Sequence, residues 1–387
     1  MSNIYDYLHW RGDISFAEVG MREADYTIFA WLSYIPFDKV IDESFTAFVS
    51  LGEAMPKVLE YGDPANEKYD GRVYTNGKND EKLMQELENC PRFANLKVCG
   101  YVNIIDERRE EQFAAVTFVL PSGNVVVSYR GTDVTLVGWK EDFNLGFMSE
   151  VPAQRDAVDY LQKVAAYYPG WMYVCGHSKG GNLAMYAAGF SSDEVQDRII
   201  AVRNMDGPGF NEEMLRRAKT QRILDRTETY LPQDSVVGML LGHEEPYHVV
   251  HSVNVSLMQH SLHSWEIERT DFVQVEGITS SSQLVDATLK EWVRNMSIED
   301  RGKLIDGFYA VVQASDAKTR EELATGKSTL AILKALNKTD EETKEIFRQA
   351  YKLFKQSLKK SLPIVTAASK NSNSGSSAVG DTAIAGH

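Results

Sequence analysis

The sequence predicts an α/β fold, a mostly parallel sheet flanked by helices, and three observations carry that expectation. Short β-rich runs alternate with helical patterns through the middle of the chain, a Gly-Ser-Gly turn joins one such strand to a helix, and strand signals stop near residue 280.

The elements follow in order. "ADYTIFAWLSYIPF" places Ile28, Trp31, Leu32 and Ile35 at helical spacing, and Pro36 ends the run. Its aromatic residues Phe29, Trp31 and Tyr34 read as core. A second helix is expected through "SFTAFVSLGEAMPKVLEYG". Residues 61–80 are polar and rich in Gly, Asn and Asp, which reads as a loop that, with the N-terminal helices, caps the site. "QFAAVTFVL" and "NVVVSYRG" are strands joined by Pro121-Ser122-Gly123, a hairpin at one sheet edge. "VPAQRDAVDYLQKVAAYYPG" is an amphipathic helix, "WMYVCG" a strand and "NLAMYAAGF" a helix. Further strands are expected in "RIIAVRNMDGPGF", "TETYLPQDSVVG" and "YHVVHSVNV". Beyond them lie helices, with capping boxes at Ser297/Asp300 and Thr339/Glu342. The expected organisation is a cap-like helical segment over 1–95, an α/β core over 96–280, helices over 281–362 and a disordered tail over 363–387, which lacks aromatics and apolar periodicity.

Composition narrows the function. A 387-residue chain with 43% hydrophobic content can bury one large core. Its formal charge of -14 repels phosphate backbones, which excludes a nucleic-acid partner. No apolar run approaches the roughly 18 residues of a membrane span. The N-terminus lacks the pattern of a signal peptide. The 3 cysteines match no metal spacing and read as reduced thiols, so a cytoplasmic setting is expected.

"VCGHSKGGNLAMYAA" carries the chemistry. Gly176, Ser178 and Gly180 form G-x-S-x-G between an apolar strand and a helix, the setting of a nucleophile elbow. Side chains at the two flanking positions would clash with neighbouring backbone, so glycine belongs there. Gly181, Ala184, Ala187 and Ala188 let the helix lie close to the sheet. Neither phosphate-loop pattern is present. The backbone N–H of Lys179 faces a developing oxyanion at a helix N-terminus. His177 lies inside the motif.

A serine nucleophile needs a base and an orienting acid, in the chain order Ser, acid, His. Of the 8 histidines, His243, His248, His251, His260 and His263 lie downstream and short of the tail, which holds His387. His248 and His251 fall in a strand; His260 and His263 fall in the loop after it, where a base belongs. Asp234 ends the preceding strand and is the expected acid. Asp206 is the alternate, although Asp-Gly-Pro-Gly also reads as plain turn chemistry. "VVVSYRGTD" supplies the second oxyanion donor in Thr132, through its N–H and its hydroxyl. Arg130 and Asp133 read as an ion pair fixing that loop, and Trp139 as structural. Asp142 either caps the next helix or braces the Thr132 loop.

"SYRGTD", "GWKEDF", "CGHSKGGNLA" and the Asp-then-His order resemble the class 3 (fungal-type) lipases of the α/β-hydrolase superfamily. "NIYDYLHWRGDISF", "DGPGF", "PQDSVVGMLL" and "MQHSLHSW" resemble more closely the Mbeg-like family of bacterial lipase-like proteins, over about residues 3–315. That resemblance implies an α/β-hydrolase fold. It further implies Ser178 as nucleophile, Asp234 as acid, His260 rather than His263 as base, and Thr132 in the oxyanion hole. Class 3 elbows carry leucine where this chain has Lys179, read here as an exposed side chain that is solvated or meets an anionic substrate group. The expected activity is hydrolysis of carboxylic esters of lipid-like or small acyl substrates through an acyl-enzyme, with no metal or organic cofactor. A phospholipase, a thioesterase and an acyltransferase use the same triad, and a non-catalytic scaffold keeps the fold alone.

Overall fold

The computed structural model describes residues 2–63, 65–68, 77–132, 136–145, 150–313 and 341–375. Residues 64 and 69–76 of the expected 61–80 loop, Asp133, the Trp139 side chain, Thr339 of the second capping box, and the tail beyond 375 lie outside the described residues.

Eight strands form one sheet in strict chain order: β1 (Val49–Ser50), β2 (Lys97–Asp106), β3 (Glu111–Val119), β4 (Val125–Tyr129), β5 (Met172–His177), β6 (Ile199–Met205), β7 (Thr227–Pro232) and β8 (Tyr247–Val250). The first four are antiparallel neighbours, and β4 to β8 are parallel. The hairpin of β3 and β4 forms at the expected residues but inside the sheet rather than at its edge, because β2 and then β1 extend the sheet beyond β3. The sequence predicts neither β1, which takes the start of the helix expected over 44–62, nor β2, where Gly100 (φ +63) and a register shift between Cys99 and Val102 interrupt the alternation.

Period-two alternation feeds two apolar layers. On β4, Val126 faces one side, and Val125, Val127 and Tyr129 face the other. The first side is covered by α1 (Ile4–Arg11), α2 (Glu23–Leu32), α3 (Leu51–Gly62) and α4 (Lys78–Glu88). Phe29, Trp31 and Tyr34 are buried there, as expected of core residues. After β4 comes α5 (Leu136–Leu145); α6 (Pro152–Tyr167) and α7 (Lys179–Phe190) cover the second side. Short helices α8 (Asp193–Asp197), α9 (Glu212–Leu215) and α10 (Ala218–Leu224) follow. This mostly parallel sheet between helical layers is an α/β-hydrolase fold.

Helices α11 (Ser280–Arg294), α12 (Ile298–Gln313) and α13 (Glu341–Gly375) close the chain. The Asp300 N–H donates to Ser297 Oγ at 3.0 Å, the expected cap of α12. Trp292 joins α11 to α13 by donating to the Ala350 carbonyl at 2.8 Å. Helix α13 continues to Gly375, past the point where the sequence suggested a tail. Among the described residues no helix is long and apolar enough to cross a membrane.

Candidate active site

Ser178 sits between β5 and α7 at φ +59, ψ -135, a conformation that a non-glycine residue adopts only under strain. The neighbouring strands explain why glycines flank it. A Cβ on Gly176 would lie 2.1 Å from the Gly180 carbonyl oxygen, and one on Gly180 would lie 2.1 Å from that of Tyr129. The Ser178 N–H donates to the Met205 carbonyl at 2.9 Å, tying the elbow to β6. The side chain is half-buried. Its hydroxyl makes no hydrogen bond of its own among the described residues.

Sheet register decides which acid meets the base. His177, the last residue of β5, pairs with Met205, the last of β6. Asp206 therefore lies one strand from the elbow, whereas Asp234 follows β7, two strands away. Asp206 is almost fully buried and takes φ +50. Its Oδ2 accepts from His260 Nδ1 at 2.6 Å. Its Oδ1 accepts from the Ser235 hydroxyl at 2.5 Å and the Gly238 N–H at 3.2 Å. The expectation that Asp234 orients His260 is corrected by this geometry. Asp234 instead accepts from the Ser256 N–H and Gln259 Nε2, both at 3.0 Å, and from the Thr279 hydroxyl at 2.6 Å. It ties the loop before His260 to the cap of α11 without meeting the imidazole. The Asp-Gly-Pro-Gly segment is a turn that presents a carboxylate, held by Asn182 Nδ2 on the Gly209 carbonyl at 2.8 Å.

A carboxylate only accepts, so His260 Nδ1 carries a proton, and in the neutral imidazole Nε2 is the acceptor. Its backbone is fixed from the elbow: His177 Nε2 bonds the His260 carbonyl at 2.7 Å, and the two rings lie 4.4 Å apart. Because a carbonyl cannot donate, His177 holds its proton on Nε2, and its Nδ1 accepts from the Tyr34 hydroxyl at 2.9 Å. Burial first, and the neighbouring His260 second, hold the His177 pKa well below the usual imidazole range. Tyr34 is a site residue the sequence did not flag; its place in an apolar helix gave no sign of a polar partner on the elbow. His263 turns away from the elbow, with Nδ1 3.3 Å from the Tyr5 hydroxyl and its ring against Trp31. Burial lowers its pKa to about 3. His251 pairs with Glu266 at 2.6 Å, beyond the end of β8.

The second donor loop reaches the elbow through Gly131, where a Cβ would stand 2.9 Å from that of Ser178. Thr132 follows it. Its hydroxyl, expected to be open to a substrate, instead donates to both oxygens of Asp142 at 2.5 Å. Asp142 thus braces the loop, one of its two expected roles. Burial pushes the Asp142 pKa up to about 6 against the Lys179 charge and the Thr132 hydrogen bond. Arg130 donates to Asn103 Oδ1 at 2.9 Å.

Lys179 departs furthest from expectation. Its side chain is 1% exposed and its ammonium bonds Glu141 Oε2 at 2.6 Å, so it is neither solvated nor available to a substrate.

The loop carrying His260 is apolar on its outer side. Val253, Val255, Leu257 and Met258 are 51%, 72%, 62% and 69% exposed, and residues 252–265 include no Asp, Glu, Lys or Arg.

Comparison with solved structures finds distant similarities. A Penicillium cyclopium protein, MDLA in a mutant form, aligns with 15% identity over 68% of this chain and 87% of its own, with a TM-score of 0.36. A triacylglycerol lipase described as having a serine protease triad at its catalytic centre aligns at 13% identity over 61% and 82%, with a TM-score of 0.36. Rhizomucor miehei lipase, in its propeptide complex, aligns at 14% identity over 42% of this chain, which spans 59% of that one, with a TM-score of 0.31. No curated protein matches the chain. The sequence model of the Mbeg1-like family matches residues 87–310, from the end of α4 through the sheet, Ser178, Asp206 and His260 into α12, and the chain belongs to that family.

Proposed function

We propose that this protein is a serine hydrolase that cleaves carboxylic esters through an acyl-enzyme. The observation that carries this reading is the 2.6 Å contact of His260 Nδ1 with the buried Asp206 carboxylate, on a loop fastened to the strained Ser178 turn. In this mechanism His260 Nε2 takes the Ser178 proton as Oγ attacks the ester carbonyl. Asp206 holds the tautomer and stabilises the imidazolium. The N–H groups of Lys179 and Thr132, with the α7 N-terminus, receive the oxyanion; each such donor is worth about 3–4 kcal/mol. The imidazolium protonates the departing alcohol, and water activated by the same imidazole releases the acid. Contacts between nucleophile and base commonly tighten only when substrate binds, which fits an unbonded Ser178 hydroxyl.

The uncharged loop with four exposed aliphatic side chains beside His260 supports an apolar acyl group on the substrate. Labelling with a fluorophosphonate, followed by p-nitrophenyl esters of increasing chain length, tests the reading. Wild type is expected to label and turn over, and Ser178→Ala and His260→Ala to do neither. Labelling that survives Ser178→Ala rules the mechanism out. A panel of phospholipids, thioesters and acceptor alcohols then sorts ester hydrolysis from its relatives.

A further inference from the structure

The Lys179 side chain is a charged group buried at the site that the proposed mechanism does not use. Its ammonium has three acceptors: the Gln112 carbonyl at 2.6 Å, Gln112 Oε1 at 2.9 Å and Glu141 Oε2 at 2.6 Å. The Glu141 carboxylate, itself 0% exposed, also accepts from the Gln112 N–H at 3.0 Å and the Ala153 N–H at 3.1 Å. Every strong bond of both ions is therefore satisfied. A buried ion pair of this kind contributes little net stability, because desolvating two charges offsets their attraction. Stability alone does not account for it.

The connectivity supplies a role for it. Glu141 and Asp142 are consecutive on α5; Asp142 holds the Thr132 hydroxyl at 2.5 Å, and Lys179 is the residue after Ser178. Thr132, Asp142, Glu141, Lys179 and Ser178 thus form a ring, closed where Gly131 abuts Ser178. Both proposed oxyanion donors, the N–H groups of Thr132 and Lys179, belong to it. We propose that Lys179 is a positioning residue: through Glu141 and Asp142 its side chain fixes the Thr132 loop against the elbow, so that the two donors keep their separation. This inference rests on the hydrolase reading of the site.

The groups facing Asp142 are Lys179 from α7, its neighbour Glu141, His260 from the loop after β8, and Tyr34 beyond α2, besides the Thr132 hydroxyl. Lys179 and His260 favour the ionised carboxylate; burial and Glu141 oppose it. Removing the Lys179 charge therefore weakens the brace at mildly acid pH.

The test compares wild type with Lys179→Met, Asp142→Asn, both together, and Lys179→Met/Glu141→Gln. The last removes both charges and leaves no orphan ion if Lys179→Met alone fails to fold. Rates are taken per active site titrated with fluorophosphonate. Loss of a whole oxyanion donor lowers kcat by about 100- to 1,000-fold, so a displaced donor is expected to lower it by about 10-fold or more with KM unchanged. Lys179→Met is expected to raise the acid limb of the kcat profile, and to add no further loss or limb shift when Asp142 is already Asn. Hydrogen exchange of residues 130–142, read by mass spectrometry, is expected to quicken in Lys179→Met/Glu141→Gln whether or not the enzyme turns over. An unchanged kcat, a limb shift that persists in the Asp142→Asn background, or unchanged exchange overturns the inference. Absence of labelling in wild type overturns the hydrolase reading instead, and the exchange measurement still judges the positioning role.

Discussion

Replacing Asp206 with Asn inverts the tautomer of His260 without disturbing its surroundings. Oδ1 of Asp206 accepts two donors, the Ser235 hydroxyl at 2.5 Å and the Gly238 N–H at 3.2 Å. The amide oxygen must stay there, because an NH₂ group would oppose two protons. The NH₂ is then left facing His260 Nδ1, where the carboxylate now accepts at 2.6 Å. It donates, Nδ1 becomes the acceptor, and the imidazole proton moves to Nε2, the atom that accepts from Ser178 in the proposed mechanism. In triads of this kind such an inversion lowers kcat about 10⁴-fold, or about 5.4 kcal/mol of barrier at about 1.36 kcal/mol per decade. Asp234→Asn is the control. It puts an amide among three donors, costs about 1–3 kcal/mol of stability, and lowers kcat less than about 10-fold. Both variants are assayed on a soluble p-nitrophenyl ester at pH 8, with folding followed by urea denaturation. An Asp206→Asn enzyme keeping a tenth of its activity, or an Asp234→Asn enzyme that is equally slow yet fully folded, refutes the assignment.

Three other outcomes follow from local geometry. Ser178→Gly removes the strain of φ +59 and is expected to unfold later by about 1–3 kcal/mol while losing all labelling; a melt with no gain contradicts the strained turn. Tyr34→Phe leaves the buried Nδ1 of His177 without its 2.9 Å partner, so stability is expected to fall by about 1–3 kcal/mol and kcat with it; unchanged urea unfolding and rate would free His260 from this tether. Burial, ahead of the neighbouring Asp156, raises the Glu111 pKa despite half-exposed Arg109 at 2.9 Å. A carboxyl whose folded pKa exceeds its unfolded one stabilises the fold below that unfolded value, near 4.5, and this stability is lost as pH rises toward the folded pKa. Glu111→Gln is therefore expected to flatten the decline of wild-type stability between mildly acid and mildly alkaline pH, and parallel urea curves across that range would contradict it.

The parallel half of the sheet was legible because each strand is an apolar run bounded by turn residues, and the elbow was legible because two glycines are sterically required there. Strand β2 was hidden by the bulge at Gly100, and α4 by its few apolar positions, Leu83, Met84 and Leu87. Chain order placed an acid between Ser178 and the histidines but could not choose between Asp206 and Asp234. That choice depends on which strand borders β5, a fact of hydrogen-bond register. The Lys179 side chain was misread because a lysine in a first helical turn usually points to water. Its partners, Gln112 and Glu141, come from separate elements that only the folded sheet brings beneath it. Likewise Tyr34 looked like core, and is buried as core, yet its hydroxyl has a polar task set by a histidine far along the chain.

The strict order of the strands has a consequence for how the protein comes into being. Each strand bonds to the one synthesised just before it, so the sheet can be laid down progressively as the chain leaves the ribosome. The tether from Tyr34 through His177 to His260 cannot: it joins the turn after an early helix, the middle of the sheet and a late loop. A nascent chain stopped after β7 would have its elbow assembled and His260 missing, so the pairing of His260 with Asp206 forms only after the loop beyond β8 has emerged.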